Sequence, residues 1–300
     1  MRATSLIRLV LGVLLLAGLV EAQTDRRRPA ERAAAQQAEY EKLMAMERPI
    51  DGVDSVWLEE LTWLEVRDAL RAGKTTVIVP TGGMEQNGPY LATGKHNYVN
   101  RAGCTGIAVK LGNALCAPNV AFVPEGNIDP PSGAMRYPGS ISLSDATFQA
   151  LLTDIANSLR VTGFEHVILL GDSGGNQRGM QQVAETLRAK WAGTKSRIYY
   201  IPEYYTQFNL VTEYAEKTFG WKQVNEGIHD DPLISAIMMT VDPEKVRIQQ
   251  RIAKGKATTN GVALTPMEKV VDIGRKLVDY RAELTVAAIR KAMAAAGSAP

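Results

Sequence analysis

Four short apolar runs, each ending in proline or glycine, are spaced along the middle of the chain with helix-forming stretches between them, and this alternation limits the fold most. The runs are TTVIVP (75–80), NVAFVP (119–124), HVILLG (166–171) and RIYYIP (197–202). Short apolar segments bounded by turn formers read as buried strands. The intervening stretches have helical character: SVWLEELTWLEVRDALRAG (55–73) is amphipathic, and NRAGCTGIAVKLGNAL (100–115), SDATFQALLTDIANSLRVTG (144–163) and QRGMQQVAETLRAKWAG (177–193) follow. Repeated strand–helix units predict an α/β fold: a mostly parallel sheet with helices on both faces, a three-layer αβα sandwich. The rest of the chain reads as helical and ends in a long helix within 265–297.

The start of the chain reads differently. Arg2 and Arg8 precede the apolar run LVLGVLLLAGLV, and VEA follows at Val20–Ala22. That order predicts a signal peptide over residues 1–22 and export to the periplasm or medium. Residues 23–50, with the basic cluster DRRRPAER, read as a mobile N-terminal arm, and residues 51–300 as the α/β domain. No later stretch reaches eighteen consecutive apolar residues, and no cysteine sits at the expected cleavage point, so no membrane anchor is expected. A formal net charge of +2 on 300 residues gives no basis for a nucleic-acid partner. Cys104 and Cys116 read as two positions of one helix, about 18 Å apart by helical rise, and therefore as buried small hydrophobes rather than a disulfide.

In an open parallel sheet, ligands bind beyond the carboxyl ends of the strands. Four polar segments fall there: TGGMEQNGPY, EGNIDPPSG, DSGGNQ and EYY. The string GDSGG around Ser173 matches the surroundings of the serine in trypsin-like proteases. Here, however, a buried strand runs straight into a helix, and the chain has three histidines in all. Gly174 and Gly175 are expected to permit a tight turn at positive φ and a close approach of backbone to ligand.

These segments together resemble the creatininase (creatinine amidohydrolase) family, from about Trp57 to Ala288. PTGGMEQNGPYLATGKHN resembles the family's Glu-Gln-His-Gly-Pro-His opening, YPGSISLS its Phe-Pro-Gly-Thr loop, GDSGGN its Gly-His-Gly-Gly-Asn turn, and GIHDDPLISAIMM its His-Ala-Gly segment. The resemblance implies a creatininase-like fold, two divalent metals, hydrolysis of a C–N bond in a small or cyclic amide, and assembly into a homo-oligomer. Glu85 matches a metal-binding carboxylate and His229 the late histidine. Asn87 and Ser173 stand where the family has histidine ligands, His96 stands at its bridging aspartate, and Ile234 replaces a glutamate.

Two readings of these departures compete. In the first, the site is rebuilt around one divalent metal (Zn, Mn or Fe) held by Glu85, His96 and Asp172. Asp172 can reach it only if the strand has ended by then, because neighbours on a strand face opposite ways. His229 then acts as general acid or base and the Gly174–Gly175 turn supplies oxyanion donors. Asn87, Tyr90, Glu125, Ser173 and Asn176 line the substrate pocket. In the second reading the same pocket binds a small polar ligand without catalysis, with Tyr90 and Tyr98 as stacking surfaces. A third is a serine hydrolase using Ser173 with His229, because a serine on a strand-to-helix turn resembles a nucleophile elbow. Lys95 reads as solvated, with the alternative that a cation near a metal site holds an anionic substrate; His166 reads as structural, and Asp230 and Asp231 as caps for the helix after Pro232.

Overall fold

The computed structural model describes residues 29–297; the signal peptide expected over residues 1–22 lies outside them. The chain divides between Asp51 and Gly52 into two units. In the first, α1 (Pro29–Ala45) is helical where the sequence suggested an arm, and none of its residues is buried. Its alanine-rich sequence carries high helix propensity, with Pro29 as the first helical residue and a Gln37–Glu41 side-chain hydrogen bond of 2.8 Å.

The second unit is built on four parallel strands: β1 (Thr76–Thr81), β2 (Ala114–Cys116), β3 (His166–Gly171) and β4 (Arg197–Tyr200), in the order β2-β1-β3-β4. Thr76 pairs with Ala114 on one side and His166 on the other. Residues alternate between faces along each strand. Val77, Val79, Val167, Leu169 and Ile198 pack against α4 (Asp145–Val161) and α5 (Asn176–Lys190), with partly buried side chains of α2 (Trp63–Arg71) beside them. Ile78, Ile168, Leu170 and Tyr199 pack against α3 (Lys95–Leu111) and the long C-terminal helix. The sheet is thus covered on both faces, as the strand–helix alternation predicts. Beyond β4 come α6 (Glu203–Thr206), α7 (Phe208–Phe219), α8 (Pro232–Met239), α9 (Ile248–Ala253) and α10 (Met267–Gly297). Side chains of α7, α8 and α10 form a further core, joined by Leu91, Trp221, Val262 and Leu264 from segments outside the helices. Among the described residues, no helix is long and apolar enough to cross a membrane.

Three expectations need correction. The second strand is Ala114–Cys116, not NVAFVP. Between Ala117 and Val120 the chain carries one residue more than β1 does: the Ala117 N–H donates to the Ile78 carbonyl and the Val120 N–H to that of Pro80, so the regular ladder stops and pairing with β1 resumes only as an isolated Val120–Thr81 bridge, while Val123 bridges to Ser142. The cysteines do not share a helix: α3 stops at Leu111, and Gly112 takes a left-handed conformation (φ 78°) that only glycine adopts cheaply. The chain then reverses into β2, which brings Cys116 to Cys104 with a Cα–Cα distance of 6.4 Å, and the two form a disulfide. An Asn260–Gly261 hairpin, with both residues at positive φ, interrupts the region read as wholly helical.

Candidate metal centre

A cavity of about 710 Å³ opens at the carboxyl end of the sheet. Glu85 reaches it from the loop after β1, Lys95 and His96 from the first turn of α3, Glu125 from the loop after Val123, and the Asp172–Gly175 turn from the end of β3. His229 comes from the segment before α8, and Arg281 from the middle of α10.

His96 lies at the centre. Its Nδ1 is 2.7 Å from Asp172 Oδ2 and its Nε2 is 2.7 Å from Glu85 Oε1. Burial would lower its pKa, but the hydrogen bonds to Asp172 and Glu85 outweigh burial and raise it. Burial likewise would raise Asp172; the Arg281 charge and the His96 hydrogen bond overcome it and hold the carboxyl at about 2. Glu85 is pulled down by His96, Lys95 and His229 in spite of its burial. Glu125 goes the other way: desolvation, followed by the charge of Glu85, pushes it up to about 7. Its Oε1 is buried without a hydrogen-bond partner, and Oε2 accepts a long bond of 3.4 Å from Ser173 Oγ.

Ligand-capable atoms of Glu85, His96 and Glu125 all lie within 4.8 Å of one another. A buried carboxylate oxygen without a donor, beside a second carboxylate and an imidazole nitrogen, has the oxygen and nitrogen donors that suit a divalent metal. Asp172, expected as the third ligand, stands elsewhere. Strand β3 ends at Gly171, so Asp172 does turn toward the site, but its Oδ2 faces His96 and its Oδ1 accepts from Arg281 Nη2 at 2.7 Å. It supports the histidine from behind, while Glu125, expected as a substrate contact, joins the cluster.

The other expected residues separate into two groups. His229 and Ser173 line the cavity, as do Gly174 and Gly175. His229 Nδ1 is 3.0 Å from the Gln86 carbonyl and Nε2 is 3.8 Å from Glu85 Oε1. Neither glycine uses positive φ; what they provide is room. A Cβ on Gly175 would lie 2.1 Å from the Pro124 carbonyl oxygen, and one on Gly83 2.0 Å from Glu125 Oε1. Asn87, Tyr90 and Asn176 hold the surrounding loops instead. Asn87 Nδ2 donates to the Glu85 and Thr93 carbonyls, closing the 85–93 loop. Asn176 Nδ2 donates to Thr81 and Gly82 at the end of β1. Tyr90 lies under the Arg251 guanidinium at 4.2 Å, and Tyr98 packs on the helical core. Asp231 caps α8, accepting from the Leu233 and Ile234 amides.

Arg281 was not anticipated, and Lys95 departs from its solvated reading. Lys95 is 8% exposed and lies 3.5 Å from Glu85, not in solvent. Arg281 falls on the buried stripe Ile273, Leu277, Thr285, Ile289 of α10. An arginine on the apolar stripe of an amphipathic helix is a readable signal for a buried ionic partner.

A sequence profile of the creatininase family, described as creatinine amidohydrolase, matches residues 59–298. The creatinine amidohydrolase of Pseudomonas putida is 24% identical over 212 residues, covering 68% of this chain and 78% of that protein. Among solved structures, a manganese creatininase aligns with a TM-score of 0.56 at 19% identity, covering 82% of this chain and all of that one. A variant creatininase of zinc–zinc type aligns at 0.55 and 20%, with coverages of 82% and 100%. A type II creatininase variant aligns at 0.57 and 19%, covering 79% and 98%. With four-fifths of its length matched by the family profile and the same fold in these structures, the chain belongs to the creatininase family.

Proposed function

We propose that the protein is an exported metal-dependent hydrolase of the C–N bond of a small amide, working with one divalent metal per chain held by Glu85, His96 and Glu125. One observation carries this reading: these three buried residues bring their ligand atoms within 4.8 Å of one another in the cavity beyond the sheet. The hydrogen bond from His96 Nδ1–H to Asp172 supports it, because it leaves the Nε2 lone pair directed at the cluster. Such a carboxylate behind a ligating histidine fixes its tautomer and raises its basicity. Arg281 keeps Asp172 ionised for that role. A bound divalent ion would act as a Lewis acid on the scissile carbonyl and lower the pKa of water.

The remaining chemistry belongs to side chains and backbone lining the cavity. His229, at the cavity mouth, has Nδ1 3.0 Å from the Gln86 carbonyl and 3.2 Å from Gln86 Nε2; in the tautomer that donates from Nδ1 to the carbonyl, Nε2 is available to carry a proton to the leaving nitrogen. The Gly174–Gly175 turn opens α5, where the first amides of a helix have no intrahelical acceptor, and so offers donors to a developing oxyanion. One metal rather than two is favoured by the replacement of the family's histidines by Asn87 and Ser173: Asn87 spends its Nδ2 on backbone carbonyls and has only a neutral amide oxygen to offer, a poor ligand for a transition metal.

The serine-hydrolase reading has the right Gly171-x-Ser173-x-Gly175 spacing, but Ser173 Oγ bonds to Glu125, while His96 and His229 bond elsewhere. Ser173→Ala should therefore leave amide hydrolysis within about tenfold of wild type, about 1.4 kcal/mol of barrier, whereas chelation or His96→Ala should abolish it. A covalent fluorophosphonate adduct on Ser173, together with chelator-resistant activity, would contradict the metal reading. Export is supported by the disulfide between the fully buried Cys104 and Cys116, because such bonds persist chiefly in oxidising compartments. Self-association into a homo-oligomer is part of the same proposal, supported by the exposed apolar side chains of Phe122, Ile128 and Tyr137.

A further inference from the structure

Lys95 has more donors than it uses. Its ammonium offers three N–H groups, and among the described residues its one ion-pair neighbour is Glu85 Oε1, at 3.5 Å. The side chain is 10% exposed, so bulk water is a poor substitute partner. In the proposed site Glu85 is a metal ligand, which draws the charge of that carboxylate away from Lys95. A buried ammonium left without a counter-charge is unfavourable.

Arg281 repeats the pattern in the same cavity. Its Nε and Nη2 donate to the Tyr204 carbonyl and to Asp172, and its guanidinium rests 3.8 Å from the Tyr204 ring. Nη1 is buried and has no acceptor. Among the groups that line the cavity, and with the histidines neutral, three carboxylates (Glu85, Glu125 and Asp172) face a dication and two side-chain cations (Lys95 and Arg281), an excess of one positive charge, with Asp231 outside the lining as a further carboxylate acting on Lys95. An electropositive, partly dry pocket favours an anionic ligand.

We propose that the amide hydrolysed carries a carboxylate group, and that Lys95, in the cavity that Arg281 also lines, binds that group. The substrate class is then an acidic small amide, and Lys95 is the residue that selects for it. The inference rests on the metal-dependent amidohydrolase reading, because metal binding at Glu85 is what leaves Lys95 without a partner.

The test uses two probes of one shape, 5-oxoproline and its carboxamide, titrated calorimetrically into metal-loaded and chelator-treated protein, with metal content measured on every sample. Metal-loaded wild type should bind the acid at least tenfold more tightly, since a charge-assisted hydrogen bond is worth roughly ten- to hundredfold in affinity. Lys95→Met should erase the preference while keeping full metal content, and Lys95→Arg should retain it, which guards against a misfolded variant. Equal binding of the two probes, including none, would overturn the proposal. So would an unchanged preference in metal-replete Lys95→Met, which would assign the carboxylate to the metal. A protein that holds no metal yet loses its acid preference on Lys95→Met would keep the anion site and overturn the hydrolase reading alone.

Discussion

Replacing Glu125 by glutamine should move stability in opposite directions with and without metal. In the metal-free protein, burial and the charge of Glu85 raise the Glu125 carboxyl to about 7 from an ordinary value of 4.5. Below about pH 4.5 the group is protonated in both folded and unfolded chains and costs nothing. Between 4.5 and 7 the unfolded chain ionises while the folded one holds its proton, so stability falls as pH rises, and above 7 the loss is complete. At 1.36 kcal/mol per pKa unit, discounted for the partial solvent access of the cavity, the loss is about 2–3 kcal/mol. Glutamine has the same shape and no charge, and the bond it gives up is the long one from Ser173. Glu125→Gln should therefore be more stable than wild type by up to that amount at pH 7.5 in chelator, and indistinguishable from it near pH 4.5. Divalent metal at a hundred times its Kd should add about 2.7 kcal/mol to wild type and little to the variant, which has lost a charged ligand. Urea denaturation midpoints at both pH values, with chelator and with metal, measure all four quantities. A variant less stable than wild type in chelator at pH 7.5, or one stabilised by metal as strongly as wild type, would refute the reasoning.

Asp172→Asn should destabilise the protein by about 3–5 kcal/mol, because it leaves Arg281 buried without its counter-charge, and should weaken metal binding by roughly ten- to a hundredfold through the loss of support behind His96; unfolding and metal titration of one variant read both. Replacing Cys104 and Cys116 together by serine should cost about 3 kcal/mol, the chain-entropy value for a twelve-residue loop, seen as a lower denaturation midpoint with metal content unchanged. Equal midpoints for oxidised wild type and the double variant would show that the disulfide does not contribute.

The sheet was legible because its strands are buried on both faces and so appear as continuous apolar runs, TTVIVP and HVILLG most clearly. NVAFVP misleads because apolar content says nothing about register: one extra residue between Ala117 and Val120 breaks the ladder with β1, and Val123 pairs with Ser142 instead. The cysteine spacing misleads for a related reason, since one glycine, Gly112, reverses the chain within what looks like one helix. At the site, Glu85 and His96 were readable as metal-binding residue types at a strand end. The exchange of roles between Asp172 and Glu125 was not, because it depends on Arg281, 109 residues away in sequence, arriving to pair with Asp172. Lys95 could not be told from a solvated lysine without knowing that the first turn of α3 faces the cavity.

The central claim, one divalent metal per chain on Glu85, His96 and Glu125, is tested most directly by elemental analysis. Purified protein, stripped and then reloaded with zinc or manganese, should hold close to one ion per chain. Glu85→Gln, His96→Ala and Glu125→Gln should each hold far less, and Asn87→Ala and Ser173→Ala should hold the full amount. Two ions per chain, or none in wild type at any pH from 6 to 9, would contradict it.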